Sequence, residues 1–439
     1  MLFRSMLEKI TQSRYLSRAT AAVRRLVSER GESNAVSMAL DVISNYRELT
    51  VEQRPKFFAM LAEQFNLDSN ELIKAAQNFS LEPNARNYIR LQKISESPRQ
   101  ELLRRLNRAP GGTAAVVEMR RDLLSILNKK PELMSLDYDM RHLLSSWFNP
   151  GFLKMHRVDW KSPAEILEKI IAHEAVHAID GWDDLRRRLQ PDRRCFAFFH
   201  PQLPDEPLIF VEVALLPDIP VAIMPLVDKK SEPVVQTNQF KVAAFYSISN
   251  CESGLRGVSM GNFLIKRVAE QLHEEFPGLK TFVTLSPIPG LMDWVTSGAH
   301  LGDLPTADKV KPAIRKARDD ALDLLKLNGV SWSERLSKGW HPDECSKKER
   351  EALLCLTAIY LGVFTPSRDG NPVAKFHLGN GAKLYQINWA GDLSKNGLRQ
   401  SAGLMVNYLY DLSSVEENHE RFVNGEVIYA RSVGKLMSF

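Results

Sequence analysis

The apolar positions of the first 150 residues recur at the three- and four-residue spacing that is typical of amphipathic helices. Residues 51–65 and 113–127 are the clearest examples, and polar breaks separate the segments. Only three of the 23 glycines fall in this third of the chain. The pattern therefore predicts an all-helical first domain over residues 1–147. In the second example one face carries Val116, Met119, Leu123, Leu124 and Leu127.

The pattern changes near Trp147, where residues 148–151 (Phe-Asn-Pro-Gly) form a turn signal and glycines become frequent. Apolar runs of strand length then alternate with amphipathic helices, which is typical of an α/β domain. We therefore expect a second domain over residues 148–439, with a helical insertion at about 304–362. Strands are predicted at 194–200, 207–216, 240–249 and 281–285, helices from Pro163 onward after a capping box and at 262–275, and a hairpin over 373–389 that turns at Asn380 and Gly381.

Composition and charge exclude little. The chain of 439 residues is 44% hydrophobic and 25% charged, as folded globular proteins are. Its formal net charge of +5 is local, because residues 1–30 hold seven Lys or Arg against two Glu. The nearly neutral remainder is weak evidence for nucleic acid, so we expect a polyanionic small ligand and no nucleic-acid partner.

Three features bear on location. The most apolar stretch, residues 208–227, is interrupted by Glu212, Asp218 and three prolines, whereas a membrane span needs about 20 uninterrupted apolar residues. The Arg and Ser content of residues 1–30 would suit a mitochondrial presequence, but Glu8, Glu29 and helical continuity favour a structural helix. Four cysteines without a CxxC spacing suggest neither disulfides nor structural zinc. We therefore expect no membrane span and a cytoplasmic protein.

Residues 173–177 (His-Glu-Ala-Val-His) fit the HExxH pattern of zinc peptidases. They fall on a predicted helix, which would place the two imidazoles one turn apart on one face. A catalytic zinc site needs a third ligand, but Asp180 and Asp183 stand where the extended metzincin pattern has Gly and His. The alternative, which we favour, is a pair of ordinary histidines near a helix end.

Residues 256–262 (Arg-Gly-Val-Ser-Met-Gly-Asn) connect a predicted strand to the helix predicted at 262–275. Such a turn presents backbone N–H groups at the positive end of a helix dipole, which suits a pyrophosphate. The segment lacks the Gly-Lys-Ser/Thr of a nucleotide P-loop. It is similar to the phosphate loop of the GNAT acetyltransferase fold, with Ser259 in place of the central glycine. A plain glycine-containing turn is the alternative.

Two further residues are candidates for chemistry. Ser286 follows the strand predicted at 281–285, and Pro287 and Pro289 fix the backbone beside its hydroxyl. His377 ends a predicted strand ahead of the Asn-Gly turn. Taken alone, each has an ordinary structural explanation, because Ser-Pro is common turn chemistry and a lone histidine is usually a surface or core residue.

Taken together, these segments resemble the malonyl-CoA decarboxylase family over essentially the whole chain. The family has an N-terminal helical domain and a C-terminal GNAT-like domain. The resemblance therefore implies the fold class α + α/β, with an all-helical domain followed by a GNAT-like catalytic domain. It also implies that the HExxH segment binds no zinc and that neither a metal nor an organic cofactor is needed. The resemblance is carried by residues 136–144, 147–153, 173–177, 245–249, 261–268, 285–290, 373–378 and 403–408.

The resemblance also implies roles for individual residues. Ser286 and His377 become the catalytic pair, and Ser247 and Tyr410 become further malonyl-pocket residues. Some relatives have Glu where this chain has Ser259, so a pocket role of that carboxylate does not transfer. The implied substrate and product are malonyl-CoA and acetyl-CoA, and a homo-oligomer, a dimer or tetramer, is expected. The implied CoA-phosphate loop comprises Arg256, Gly257, Val258, Ser259, Met260, Gly261 and Asn262.

These residue types suit the implied chemistry. Loss of CO₂ from a malonyl thioester leaves an enolate, for which the thioester carbonyl is the electron sink, and the reaction ends when a proton reaches Cα. A serine hydroxyl can fix the malonyl group or assist the enolate, and a histidine can supply the proton. The alternatives are a GNAT-type acyl-CoA transferase, a zinc peptidase at residues 173–177, and a non-catalytic protein that retains an acyl-CoA-binding fold.

Overall fold

The structure, a computed structural model, describes residues 2–28, 34–231, 233, 236–258, 264–301, 310–326 and 332–438. It divides into two compact units. Residues 1–154, 199–208 and 252–261 form the first unit, and residues 155–198, 209–251 and 262–439 form the second. A helical N-terminal part followed by a mixed-sheet part is confirmed, whereas the domain boundary between residues 147 and 148 stays a prediction.

The first unit is built from amphipathic helices. The apolar face predicted for the segment 113–127 is buried at Val116, Met119 and Leu123 in α7, whereas Leu124 and Leu127 are only partly buried. The helix predicted at 51–65 is α3, in which Pro55 occupies the first turn. Within the described residues the helices are α1 (Leu2–Val27), α2 (Ala35–Arg47), α3 (Arg54–Gln64), α4 (Ser69–Leu81), α5 (Ala85–Ser95), α6 (Pro98–Asn107), α7 (Gly112–Ile126) and α8 (Met134–Trp147).

The strands of the second part form one mixed sheet. They are β1 (Lys154–Val158), β2 (Arg193–His200), β3 (Leu203–Leu216), β4 (Val242–Asn250), β5 (Thr281–Thr284), β6 (Ser286–Pro287), β7 (Lys383–Asn388) and β8 (Met405–Tyr410). Their order is β1-β2-β3-β4-β5-β8-β6, and β7 also pairs with β8. The pair β4 and β5 is parallel, whereas β3 with β4 and β5 with β8 are antiparallel. All four predicted strands are present, with ends shifted by a few residues.

A helix connects the two parallel strands, as the sequence predicts. This helix, α12, buries Leu264, Ile265, Val268 and Leu272. The predicted helical insertion contains α14, α15 and α16, and residues 302–309 and 327–331 of it lie outside the described residues. The helices of this part are α9 (Ala164–His173), α10 (Gly181–Arg188), α11 (Met224–Val227), α12 (Leu264–Glu275), α13 (Leu291–Thr296), α14 (Pro312–Lys326), α15 (Trp332–Ser337), α16 (Lys347–Ile359), α17 (Pro372–Gly379), α18 (Lys395–Ser401), α19 (Val415–Val423) and α20 (Arg431–Leu436).

The hairpin predicted over residues 373–389 is wrong in its first half. Residues 372–379 form α17, and only the second half is a strand, β7, which pairs with β8. Asn371 caps the helix, because its Oδ1 accepts the N–H of Ala374 at 2.8 Å, and Pro372 fits the first helical turn. The Asn-Gly pair ends this helix instead of turning a hairpin, since Asn380 is its C-cap and Gly381 has φ +77°.

The capping box predicted before Pro163 does not form. The helix α9 begins at Ala164 with Pro163 in the N-cap position. Ser162 instead accepts the backbone N–H of Asp159 through its hydroxyl, over 3.1 Å. The hydroxyl closes a local turn before the helix, which is a common competing use of serine.

Candidate active site

Ser286 and His377 lie side by side. His377 Nε2 is 3.1 Å from Ser286 Oγ. Ser286 begins the short strand β6, which pairs with β8, and His377 lies in the last turn of α17. Both residues are buried, with 5% and 3% of their surface exposed. The fold thus brings together two residues that the sequence placed 91 positions apart.

Asn371 links the two segments that carry this pair. While its Oδ1 caps α17, its Nδ2 donates to the carbonyl oxygen of Pro289 over 2.7 Å. The same carbonyl accepts the hydroxyl of Tyr360 at 3.2 Å. The proline-rich turn after Ser286 and the start of the histidine helix are therefore held by one buried amide.

Hydrogen bonds continue on both sides of the pair. Tyr410 Oη is 2.9 Å from His377 Nδ1, and Ser286 Oγ donates to Thr284 Oγ1 over 2.9 Å. Burial raises the pKa of Tyr410 well above its usual value, so the phenol keeps its proton and can donate it to Nδ1. We therefore assign the imidazole proton to Nε2, where it faces Ser286.

His377 sits in a setting that disfavours a charged imidazole. Its ring is stacked against Tyr408, with 4.7 Å between ring centroids. Burial lowers the pKa of His377 to about 3, because desolvation penalises the imidazolium form. The histidine is therefore neutral at pH 7, and an anionic neighbour would be needed to protonate it.

The pair lines a cavity of about 260 Å³ within the second unit. Its polar lining residues include Ser247 and Asn250 besides Ser286 and His377. The remaining walls are mostly apolar, which is usual for small-molecule sites with a few convergent polar groups. The apolar lining residues include Val176, Ile209, Val211, Phe245, Leu264, Ile265, Leu285 and Phe376.

Ser247, also predicted as a pocket residue, contacts a buried carboxylate. Its Oγ lies 2.7 Å from both Oε1 and Oε2 of Glu174 and donates to them. Glu174 Oε1 also accepts the backbone N–H groups of Val176 and His177, each at 2.8 Å. Ser249 Oγ donates to Glu174 Oε2 over 3.3 Å. Glu174 therefore ties strand β4 to the segment that follows α9.

The HExxH segment is not helical, contrary to the expectation from its spacing. The helix α9 ends at His173, and Glu174 has φ −65° and ψ 109°, which is extended backbone. The N–H groups of Val176 and His177 bond to the Glu174 side chain instead of continuing the helix. Arg188 fixes the segment further, since its Nη2 donates to the His177 carbonyl oxygen over 2.7 Å. The two imidazoles are thus not one helical turn apart.

The proposed phosphate loop is described only in part. Ser259, Met260, Gly261 and Asn262 lie outside the described residues. In the described part, the N–H of Val258 donates to the Leu255 carbonyl oxygen over 2.9 Å, and that of Arg256 donates to Ser253 over 3.1 Å. Gly257 has φ +77°, a left-handed conformation that favours glycine. Two of the predicted phosphate donors are therefore already bonded within the turn.

Sequence reasoning missed several residues around the pair. The contact of Thr284 with Ser286 could have been predicted weakly from sequence, because residues two positions apart lie on the same side of an extended chain. Tyr408 could have been found in the same way from Tyr410. Glu174 was considered only as part of the HExxH pattern. Its contacts with Ser247 depend on tertiary pairing that no local pattern announces.

Across the described ranges, no group of three or more His, Cys, Asp or Glu side chains is arranged to hold a metal ion. Among the described helices, none combines the length and the apolar character that crossing a membrane requires.

Comparisons with known proteins place the chain. Residues 65–148 match the family described as malonyl-CoA decarboxylase N-terminal domain, and residues 151–439 match the malonyl-CoA decarboxylase C-terminal domain. The mitochondrial malonyl-CoA decarboxylase of Rattus norvegicus is 34% identical over 92% of this chain and 85% of its own length.

Solved structures agree with the sequence matches. The crystal structure of malonyl-CoA decarboxylase from Rhodopseudomonas palustris is 44% identical, with a TM-score of 0.80 over 96% of this chain and 99% of that one. The protein from Agrobacterium vitis is 41% identical, with a TM-score of 0.79 over 96% of this chain and 100% of that one. The fold and these matches define a carboxy-lyase. The chain belongs to the malonyl-CoA decarboxylase family.

Proposed function

We propose that this protein converts malonyl-CoA to acetyl-CoA and CO₂, with Ser286 and His377 as the catalytic residues. The observation that carries the proposal is the 3.1 Å contact between Ser286 Oγ and His377 Nε2 at the wall of a mostly apolar cavity. Such a cavity favours loss of the carboxylate, because neutral CO₂ needs less solvation than the anion it comes from.

The two residues divide the work between them. The bond between the carboxylate carbon and Cα breaks, and its electron pair moves into the thioester as an enolate. Ser286 donates its hydroxyl hydrogen to the malonyl group or to the enolate oxygen, since its present acceptor, Thr284, is a neutral hydroxyl that a developing anion outcompetes. His377 delivers the proton that Cα must gain.

The low pKa of His377 fits this role once substrate charge is included. The malonyl group brings a carboxylate into the cavity, and a nearby negative charge raises the pKa of a histidine. Substrate binding therefore raises the protonated fraction of His377, and after CO₂ has left, the imidazolium transfers its proton to Cα. Tyr410 holds the imidazole through Nδ1 and directs Nε2 toward Ser286.

The other parts of the proposal concern the rest of the chain. The loop 256–262 binds the CoA phosphates, and residues 1–147 form the oligomerisation domain of a homo-oligomer, with residues 148–439 as the catalytic domain. Exposed apolar side chains on α4 and α5 support self-association: Ile73, Leu81, Tyr88 and Ile89. A cytoplasmic location and a role in malonate or fatty-acid metabolism belong to the same proposal.

A steady-state assay tests the function. Purified protein incubated with malonyl-CoA should release CO₂ and acetyl-CoA in equal amounts without any added metal or cofactor. Formation of an acylated acceptor in place of CO₂ would instead indicate a GNAT-type transferase. Binding of acyl-CoA without turnover would indicate a non-catalytic protein.

A further inference from the structure

Glu174 and Ser247 form a polar pair that the proposed chemistry does not use. Ser247 lines the cavity, whereas Glu174 lies behind it, 7% exposed. Four donors converge on the Glu174 carboxylate: two backbone N–H groups and the hydroxyls of Ser247 and Ser249. The Glu174 carboxylate only accepts hydrogen bonds, which fits a surrounding made of donors. The carboxylate therefore fixes the direction of the hydroxyl hydrogen of Ser247.

The two serines of the cavity therefore differ in what they can offer a ligand. Ser286 donates to a neutral hydroxyl, so its hydrogen can turn toward a stronger acceptor. Ser247 donates to a carboxylate at 2.7 Å, and such charge-assisted bonds are about twice as strong as neutral ones. Its hydrogen stays on Glu174, and the oxygen retains a lone pair even beside Ser249 Oγ at 3.3 Å. Ser247 is left as an acceptor.

We infer that Glu174 is a positioning residue that keeps Ser247 as a hydrogen-bond acceptor for the amide N–H nearest the sulfur of an acyl-CoA. This inference rests on the proposed function, which supplies the ligand. This inference replaces the malonyl-pocket role that the family resemblance implies for Ser247, because the malonyl thioester end carries only acceptors, a carboxylate and a carbonyl, and has no donor for Ser247. Along the ligand from its acyl end, the amide N–H nearest the sulfur is the first hydrogen-bond donor.

The same pair sets the direction of the ligand. A malonyl carboxylate placed against Ser247 would face a lone pair with the Glu174 carboxylate behind it, and like charges repel strongly where water is excluded. Placed against Ser286 and His377, it meets groups that can donate. The amide arm therefore passes Ser247 while the acyl end reaches the catalytic pair.

The test compares two ligands that differ in one donor. Calorimetry measures the Kd of acetyl-CoA and of an analogue in which an ester oxygen replaces the amide N–H nearest the sulfur. The unaltered protein should bind the analogue on the order of tenfold more weakly, because the Ser247 acceptor then loses its partner. Ser247→Ala should bind the two ligands with similar affinity. Equal affinities in the unaltered protein would overturn the inference.

Glu174→Gln separates positioning from a merely structural role. The glutamine keeps an oxygen for the N–H groups of Val176 and His177, but its amide nitrogen takes the place of Oε2 and donates to Ser247 Oγ. That bond uses the lone pair that would otherwise accept the amide N–H of the ligand. Acetyl-CoA should then bind on the order of tenfold more weakly, and the preference for the amide over the ester should vanish. In a Ser247→Ala background the same substitution should change little.

Each remaining outcome has a definite meaning. Equal weakening of both ligands by Glu174→Gln, persisting in the Ser247→Ala background, would show that Glu174 only supports the segment and would overturn the inference. Glu165→Gln, which removes a surface partner of Lys169, is the matched control and should leave both Kd values unchanged. Because the readout is binding, failure of turnover with malonyl-CoA would count against the proposed function alone. If Glu174→Gln does not fold, the ligand pair with Ser247→Ala still decides whether Ser247 is the acceptor, and equal affinities of the unaltered protein for the two ligands would still overturn the inference.

Discussion

The hydroxyl of Tyr410 lies 2.9 Å from Nδ1 of His377, on the opposite side of the imidazole from Ser286. The tyrosine is the last residue of strand β8, so the sheet helps to set the orientation of a ring that the helix α17 carries. One neutral hydrogen bond thus decides which nitrogen of His377 faces the cavity.

Tyr410→Phe removes this bond and leaves the ring volume in place. We expect kcat to fall about 5- to 10-fold, because the imidazole loses its preferred tautomer and orientation, while KM for malonyl-CoA changes little. Steady-state kinetics on the purified variant checks this. A large rise in KM with kcat unchanged would instead assign the hydroxyl to binding.

Ser286 and His377 should behave as one unit in kinetics. His377→Asn removes the group that delivers the proton, so kcat should fall by ~10²–10⁴-fold while affinity for acetyl-CoA stays nearly constant. Ser286→Ala should also lower kcat. The double variant should be much less impaired than the product of the single effects, because both residues act on one transition state. Strictly multiplicative losses would show that they act independently.

Proton uptake on binding follows from the burial of His377. With a pKa of about 3 the imidazole is neutral at pH 7, and an anion in the cavity raises that pKa, so binding draws a proton from solution. We expect fractional proton uptake with an analogue that carries a sulfonate in place of the carboxylate, rising as the pH is lowered from 7 toward 5, and almost none with acetyl-CoA. Calorimetry in buffers of different ionisation enthalpy measures this number. Its persistence in His377→Asn would assign the proton to another group.

The proposed phosphate loop leads to predictions at Gly261 and Ser259, which lie outside the described residues. Gly261→Asp should place a carboxylate against the CoA phosphates and raise KM for malonyl-CoA strongly, whereas Ser259→Gly should be mild. Circular dichroism of the variant serves as the control for folding. Unchanged affinity of folded Gly261→Asp for free CoA would count against the loop as the phosphate site.

Periodicity and glycine distribution were sufficient to predict the helical part, the four strands and the parallel unit closed by α12. They failed at Asn380 and Gly381, because the same dipeptide can turn a hairpin or end a helix, and the cap at Asn371 decided for the helix. They also failed at residues 173–177, where the carboxylate of Glu174 competes with the helix for backbone N–H groups. In both cases a side-chain hydrogen bond to the backbone, from Asn371 or from Glu174, overrides the structure that the local sequence favours.

The candidate site was only partly accessible from sequence for a related reason. Ser286 and His377 were identified through the family resemblance, since neither is conspicuous in its own segment. Their supports, Thr284 and Tyr408, are aromatic or hydroxyl residues that look like ordinary strand positions. Only the pairing of β8 with β5 and β6 brings Thr284 against Ser286 and Tyr408 against His377.

The HExxH segment leads to the last prediction, that chelation does not affect activity. The Glu174 carboxylate, which a zinc peptidase would direct at a metal-bound water, accepts four hydrogen bonds here and is turned toward β4. The preceding helix ends at His173, so the two histidines do not have the one-turn helical spacing that binding a shared metal requires. Prolonged dialysis against EDTA should therefore leave kcat and KM for malonyl-CoA unchanged. His173→Ala, at an exposed position, should be equally silent, whereas stoichiometric zinc whose removal abolishes turnover would contradict this account and return the segment to the active site.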